Sequence, residues 1–167
     1  MSTQWSVRVL GLVQFALELG LSEVTAEVAP RHPQLRKAHL RVFQHGPFDS
    51  VRVTELAARA GMTKQSMHEL VGHLERHGYL WREPDPTDSR ALRVRLTAQG
   101  NDLEGQLRAA SARVHLQWLD RLGKERFAAL WSALQEMTGR DDPLPNPTEL
   151  ARQAGEVLMQ RANEAGP

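Results

Sequence analysis

Between Ser50 and Gly100 the chain is punctuated so closely that only short elements fit between the stops. A brief apolar lead-in, Val51-Arg52-Val53, precedes a helix expected over Thr54–Ala60 and stopped by Gly61. A second helix is expected over Thr63–His77, stopped by Gly78. Thr54 and Thr63 suit helix N-caps, because a side-chain oxygen accepts from an otherwise orphaned N–H. Gly61 and Gly78 stand where a chain leaves a helix through a left-handed conformation that glycine adopts cheaply. Two apolar segments follow, Tyr79–Glu83 and Leu92–Leu96, joined by Pro84-Asp85-Pro86-Thr87-Asp88-Ser89-Arg90.

In the second helix Met67, Leu70, Val71 and Leu74 recur at helical spacing and predict one buried stripe. The opposite face carries Lys64, Gln65, His68, Glu69 and His73, with Thr63 and Ser66 at its start. These are hydrogen-bonding groups of a kind that reaches base edges, although a solvated amphipathic helix has the same pattern. Gly72 inside the helix costs roughly 1 kcal/mol relative to alanine and suggests a close approach to another group. In the second apolar segment Arg93 and Arg95 alternate with Leu92, Val94 and Leu96, the period of a half-buried strand. Helix, tight turn, helix and two-stranded ribbon make a winged helix-turn-helix, whose usual use is binding duplex DNA. An arginine at a ribbon tip, Arg90, suits the negative potential of a minor groove. Asp88, two residues back, is placed to orient its guanidinium.

Four runs in order carry a family resemblance: Val53–Gly61, Leu74–Leu80, Asp85–Ala91 and Leu96–Gly100. Together they resemble the MarR family of bacterial transcriptional regulators, clearly from Ser50 to about Asp102. The resemblance implies a homodimer on a palindromic operator, often released by a small ligand. It assigns major-groove contacts to the helix from Thr63 and a minor-groove contact to Arg90, with Asp88 and Ser89 beside it. It places an effector, such as a lipophilic or aromatic acid, near Trp5, Phe15, His39, Phe43 and Trp118. Glu69 departs from the pattern, because that helix often carries a basic residue there. An acid disfavours phosphate and suits a cytosine amino group instead.

Composition narrows the classes further. The net charge is +1, and the Ser50–Thr97 stretch has eight Arg and Lys against six acids, so DNA binding requires well-placed rather than abundant cations. Cysteine is absent, which excludes disulfides, thiolate metal sites and thiol-based redox sensing. Winged dimerisation domains also occur in one type of small-molecule methyltransferase. This chain has no glycine-rich strand-turn-helix motif for a nucleotide cofactor, so an enzyme is not expected. No cofactor is implied. The apolar run Val9–Leu21 lacks a basic lead-in, contains Glu18, and is too short to span a membrane. A cytoplasmic protein without membrane contact is therefore expected.

The flanks predict helices. Trp5–Leu21 is apolar nearly all round, which calls for cover on more than one side: a partner subunit is the natural cover, and a central place in a monomeric core is the alternative. Gly20-Leu21-Ser22 is a candidate break, with a further short turn before Pro30. Pro33–His45 is expected as a helix that buries Leu35, Leu40 and Phe43 and ends at Gly46-Pro47. Beyond the ribbon, Thr97 caps a long helix, Ala98–Leu122, with two apolar stripes, and Gly123 separates it from an amphipathic helix, Lys124–Thr138. A proline-rich linker, Arg140–Pro147, leads to a tail helix over about Thr148–Ala162.

The expected organisation is mainly α with a small β-hairpin wing. Residues 1–29 form an N-terminal dimerisation helix, 30–97 the winged domain, 98–139 the C-terminal dimerisation helices, and 140–167 linker and tail. His73 and His77 have the i, i+4 spacing of a two-histidine metal site, but no third ligand can be assigned and the face suits DNA better. The reading is a homodimeric, sequence-specific DNA-binding regulator, a ligand-responsive repressor. The alternative is a winged-helix interaction module that does not read DNA.

Overall fold

The computed structural model describes the backbone of residues 3–46, 48, 51–139, 141 and 143–164, and the side chains of these except 3–7, 89 and 156–164. The order is α1 (Thr3–Val28), α2 (Lys37–Phe43), β1 (Val51–Arg52), α3 (Val53–Arg59), α4 (Lys64–Arg76), β2 (Leu80–Asp85), β3 (Asp88–Leu96), α5 (Ala98–Leu122), α6 (Lys124–Thr138) and α7 (Pro147–Glu164). Two compact units divide the chain, Met1–Gly105 and Gln106–Pro167. The fold is mainly helical with one small antiparallel sheet, as expected.

In the first unit the turn between α3 and α4 forms at Gly61, φ +59°, and the exit from α4 at Gly78, φ +77°. Thr63 caps α4: its side-chain oxygen accepts from the Ser66 N–H at 3.1 Å. Met67, Val71 and Leu74 are buried below α4, with Leu56 and Ala57 of α3 and Val94 of β3 in the same core. Leu70 is only half-buried.

Several expectations need correcting. Thr54 is not a cap: β1 runs directly into α3, which begins at Val53 with extended Arg52 before it. The ribbon is a three-stranded sheet of order β1-β3-β2, because Val51 and Arg52 pair with Val94 and Arg93. Nor is Pro84–Arg90 a loop. Both strands continue to the Asp85↔Asp88 pair, leaving Pro86-Thr87 as the turn. Proline is tolerated at 84 because β2 is an edge strand, where a missing N–H costs no ladder bond. Ser50, Asp49 and Pro47 lie outside the described residues.

α1 does not break at Gly20-Leu21-Ser22. Ser22 Oγ donates to the Glu18 carbonyl at 2.7 Å, one turn back, and the helix runs on to Val28. Its Arg8–Val28 stretch is thus long and apolar enough to cross a membrane by length and composition alone, contrary to the length argument from the sequence. Its second half is built differently from the first: Gly20, Val24 and Val28 are buried, whereas Val9, Leu10, Leu12, Val13, Phe15, Leu17 and Leu19 are exposed. α2 starts at Lys37 rather than Pro33, because Pro33-Gln34 form a separate turn, in which the Leu35 N–H donates to the His32 carbonyl at 2.9 Å, and Arg36 is extended.

Gly72 makes no close approach. A β-carbon there would meet Arg76 Nη1 at an ordinary 3.4 Å. The tight position is Gly100, where a β-carbon would fall 2.0 Å from the Tyr79 carbonyl oxygen. Thr97 makes this joint: its hydroxyl donates to the Gly78 carbonyl at 2.5 Å and accepts from the Gly100 N–H at 3.0 Å, capping α5.

In the second unit α6 has the expected bounds, set by Gly123 and Gly139, both at positive φ. Its apolar stripe is not fully covered: Phe127 is buried, but Leu130, Leu134 and Met137 are exposed, the last at 70%. α7 is capped by Asn146, whose side chain accepts from the Thr148 N–H at 2.9 Å. Leu150 and Ala154 pack on Ala112 and Leu116. The side chains of Val157, Leu158 and Arg161 lie outside the described residues, as do residues 140 and 142 of the linker.

Candidate nucleic-acid interface

α4 presents a polar outer face because its apolar stripe is consumed by the core. Lys64, Gln65, His68 and Glu69 are exposed, Thr63 is exposed at the start, and Ser66 is half-buried. The face is partly preordered. Thr63 Oγ1 donates to Ser66 Oγ at 2.9 Å, and Gln65 Nε2 donates to Glu69 Oε1 at 3.3 Å. The Gln65–Glu69 contact uses one amide N–H and one carboxylate oxygen, leaving the Gln65 carbonyl, its second N–H and the other carboxylate oxygen outside that bond. That is a mixed donor–acceptor set suited to base edges rather than to phosphate.

His73 does not belong to this face. Its ring is half-buried, stacked 4.1 Å from the ring of His39 with planes 13° apart, and Nε2–H donates to the Gln34 carbonyl at 3.1 Å. The sequence grouped it with the outer residues because spacing alone does not reveal what α2 brings against the side of α4.

The wing is organised by Asp85, which the sequence suggested only as a loop residue. Its carboxylate is buried and bonds Arg52 Nε at 2.5 Å, Arg93 Nε at 2.9 Å, and both the N–H and hydroxyl of Thr87 at 2.7 Å. The Arg52 and Arg93 guanidiniums, with the Thr87 hydroxyl, hold its carboxyl well below the usual carboxylate range. Asp85 therefore ties β1, β2 and β3 together at the base of the turn. On the outer side Arg95 Nε bonds Glu83 Oε1 at 2.8 Å, and Arg82 bonds Glu75 of α4, which anchors the wing to the helix.

Arg90 is exposed on β3 next to the turn. Asp88 does not hold its guanidinium: Asp88 Oδ1 accepts from the Arg90 backbone N–H at 3.1 Å. The carboxylate fixes the backbone from which the arginine projects. The side chain of Ser89 lies outside the described residues.

The residues expected near an effector have separate surroundings. His39 is in the α4 stack, Phe43 packs on Phe48 with ring centres 5.8 Å apart, and Phe15 is 68% exposed. The Trp5 side chain lies outside the described residues. In the second unit Trp118 lines a cavity of ≈ 120 Å³ with His115, Phe127, Leu130, Trp131 and Leu134. Burial lowers the proton affinity of His115 in that lining. Among the described residues no group of three or more His, Cys, Asp or Glu is arranged to hold a metal ion.

A family model described as MarR family matches residues 42–91, the segment from the end of α2 to the wing. Among solved structures, the transcriptional regulator PA4135 is 25% identical, with a TM-score of 0.65 over 80% of this chain and 97% of that one. A mutant MarR from E. coli, solved in complex with operator DNA, is 16% identical with a TM-score of 0.70, over 82% of this chain and 98% of that one. BpsR from Bordetella bronchiseptica, whose DNA binding is described as regulated by 6-hydroxynicotinic acid, is 16% identical with a TM-score of 0.66, over 78% and 98%. The last two likenesses concern the fold alone. No curated protein matches the chain.

Proposed function

We propose that this chain, whose residues 42–91 match the MarR family model, is a transcriptional regulator that acts as a homodimeric, ligand-responsive repressor on a two-fold symmetric DNA site. The observation that carries this reading is the division of α4: Met67, Val71 and Leu74 are buried, while Lys64, Gln65, His68 and Glu69 are exposed and polar. α4 enters the major groove, where Gln65, Ser66, His68 and Glu69 choose among bases. Lys64 contributes a phosphate contact. Arg90, held on a rigid wing by Asp85 and Asp88, reaches the flanking minor groove, and Ser89 accompanies it.

The dimer is supported by the row of exposed apolar side chains from Val9 to Leu19, which water alone would leave uncovered. A second chain covers such a helix better than a bilayer does. The same helix turns Val24 and Val28 into its own protein, and Glu18 bonds Lys37 of α2 at 2.9 Å. Dimerisation through α1 and the helices of residues 98–139 sets two copies of α4 about 34 Å apart, on successive major grooves. Regulation by a small aromatic ligand is supported by the Trp118 cavity, whose aromatic walls and neutral imidazole suit a planar ring with one polar group.

Selection of bound duplexes from a random pool tests the reading. A two-fold symmetric sequence with half-sites one helical turn apart is the expected outcome. Failure to enrich any sequence contradicts it and favours a winged-helix interaction module.

A further inference from the structure

Three imidazoles form a column between α2 and α4. His39 stacks on His73 with ring centres 4.1 Å apart, and His73 lies 4.2 Å from His77. Each ring is also tied to backbone. His39 Nδ1 accepts from the Arg36 N–H at 3.0 Å, the bond that opens α2. The His73 Nε2–H donates to the Gln34 carbonyl at 3.1 Å, and the His77 Nδ1–H donates to the His73 carbonyl at 2.8 Å. A backbone N–H can only donate, so His39 Nδ1 carries no proton in this arrangement. Protonating it replaces an acceptor by a second donor facing Arg36, breaks the α2 cap, and sets a cation against the face of a neighbouring imidazole.

We propose that His39, stacked on His73, is a proton-sensitive joint that seats α2 against the DNA-reading helix α4 when neutral and releases it on acidification.

No carboxylate is among the groups that shift the proton affinity of His39. It is buried, and the groups acting on it are His73, Arg36 and His77, all of cationic sense. From the α1 side the charges on α2 are the Glu18–Lys37 pair at 2.9 Å, which cancels itself, and Arg41 of α2 donates to the Ala60 carbonyl. On α4, Glu69 is engaged by Gln65 and Glu75 by Arg82. Desolvation first, then the neighbouring His73, lowers the His39 pKa from 6.5 to about 4. The released state therefore binds more protons than the docked one. Docking is at full strength above pH about 6.5 and weakens progressively as pH falls through about 4. Between pH 7.5 and 5.5 the docking equilibrium weakens by about tenfold.

The experiment is hydrogen exchange of the α2 amides in the full chain, corrected for intrinsic rates, at pH 7.5 and 5.5. His39→Gln keeps an acceptor for the Arg36 N–H but does not titrate. Wild-type protection should drop about tenfold more than that of His39→Gln. A second reading avoids dependence on the variant: the His39 ring signal, followed by NMR in the wild type, should titrate far below 6.5. Equal pH dependence in both proteins, or ordinary titration of His39, overturns the joint.

The link to DNA rests on the proposed function and is read separately, on a duplex recovered by selection. Affinity falling with pH in parallel with exchange supports the coupling. A protonated imidazole on the outer face of α4 would strengthen phosphate binding instead, so the sign separates the two effects. A working joint in a protein with no DNA affinity at pH 7.5 supports the joint and contradicts the function.

Discussion

The winged segment and the long helices bury themselves to different degrees. From α3 to β3 most large apolar side chains are buried within the chain: Leu56, Met67, Val71, Leu74, Tyr79, Leu80 and Val94 are each at most 1% exposed, with Trp81 and Leu92 of the wing the exposed ones. The segment closes its own core and presents polar groups outward. The first half of α1 and the stripe of α6 do the reverse, leaving leucines, valines, Phe15 and Met137 in water. The winged segment is closed largely by its own residues, whereas α1 and α6, the frame helices, each leave an apolar face that the proposed dimer would cover.

The sharpest way to break this contrast is to charge the frame. Leu12→Glu with Phe15→Glu changes two exposed positions, so a monomer loses nothing from its own core. We expect dissociation and a fall in affinity for the two-fold site of roughly a hundredfold or more, because the second arm's avidity is lost. Sedimentation and fluorescence anisotropy measure the two effects, and unchanged values would place the exposed row outside any interface. The matching test of the winged segment is Gly100→Ala. Its β-carbon would meet the Tyr79 carbonyl, so the junction of wing and α5 must shift, at roughly 1–3 kcal/mol. Thermal unfolding should show this loss, whereas Gly72→Ala, with ordinary room at its β-carbon, should be close to neutral or stabilising.

Within the winged segment, helix and wing should separate. Gln65→Ala should cost about 1–3 kcal/mol on the selected site and little on random duplex. Arg90→Ala should weaken both by similar factors and flatten the salt dependence by about one unit per arm. Anisotropy across a salt series distinguishes the two patterns. Asp88→Asn retains an acceptor for the Arg90 N–H, so its effect should be smaller than that of either.

The smallest effect is one of pH. Asp85 has its proton affinity depressed by Arg52, Arg93 and Thr87, so its contribution is present above the ordinary carboxylate value of about 3.9. It is lost only as pH falls below that. The Asp85 contribution to wing stability should thus be flat from pH 8 to 5, whereas the His39 joint weakens over the same interval. Exchange of β3 amides, compared with those of α2, resolves the two.

Much of this was legible from punctuation. Gly61, Thr63, Gly78, Thr97 and Gly123 mark ends correctly because capping and left-handed exits are local chemistry. The bounds of α5 and α6 follow from them. What failed was non-local. Pro84 read as loop because a sequence does not say which strand is the edge. Asp85 read as a tip residue because its partners Arg52 and Arg93 arrive from two other strands. Thr54 read as a cap because a two-residue strand leaves no pattern of its own. His73 read as an outer residue because its partner His39 stands on another helix. The exposure of Lys64, Gln65, His68 and Glu69 on α4 was readable from spacing, while the contacts that hold them in place were not.

The central claim is that the frame is completed by a second copy. Sedimentation equilibrium of the full chain at micromolar concentration tests it most directly. The account predicts a single species of twice the 18.8 kDa chain mass, unchanged on dilution through that range. A stable, well-folded monomer of 18.8 kDa would contradict it.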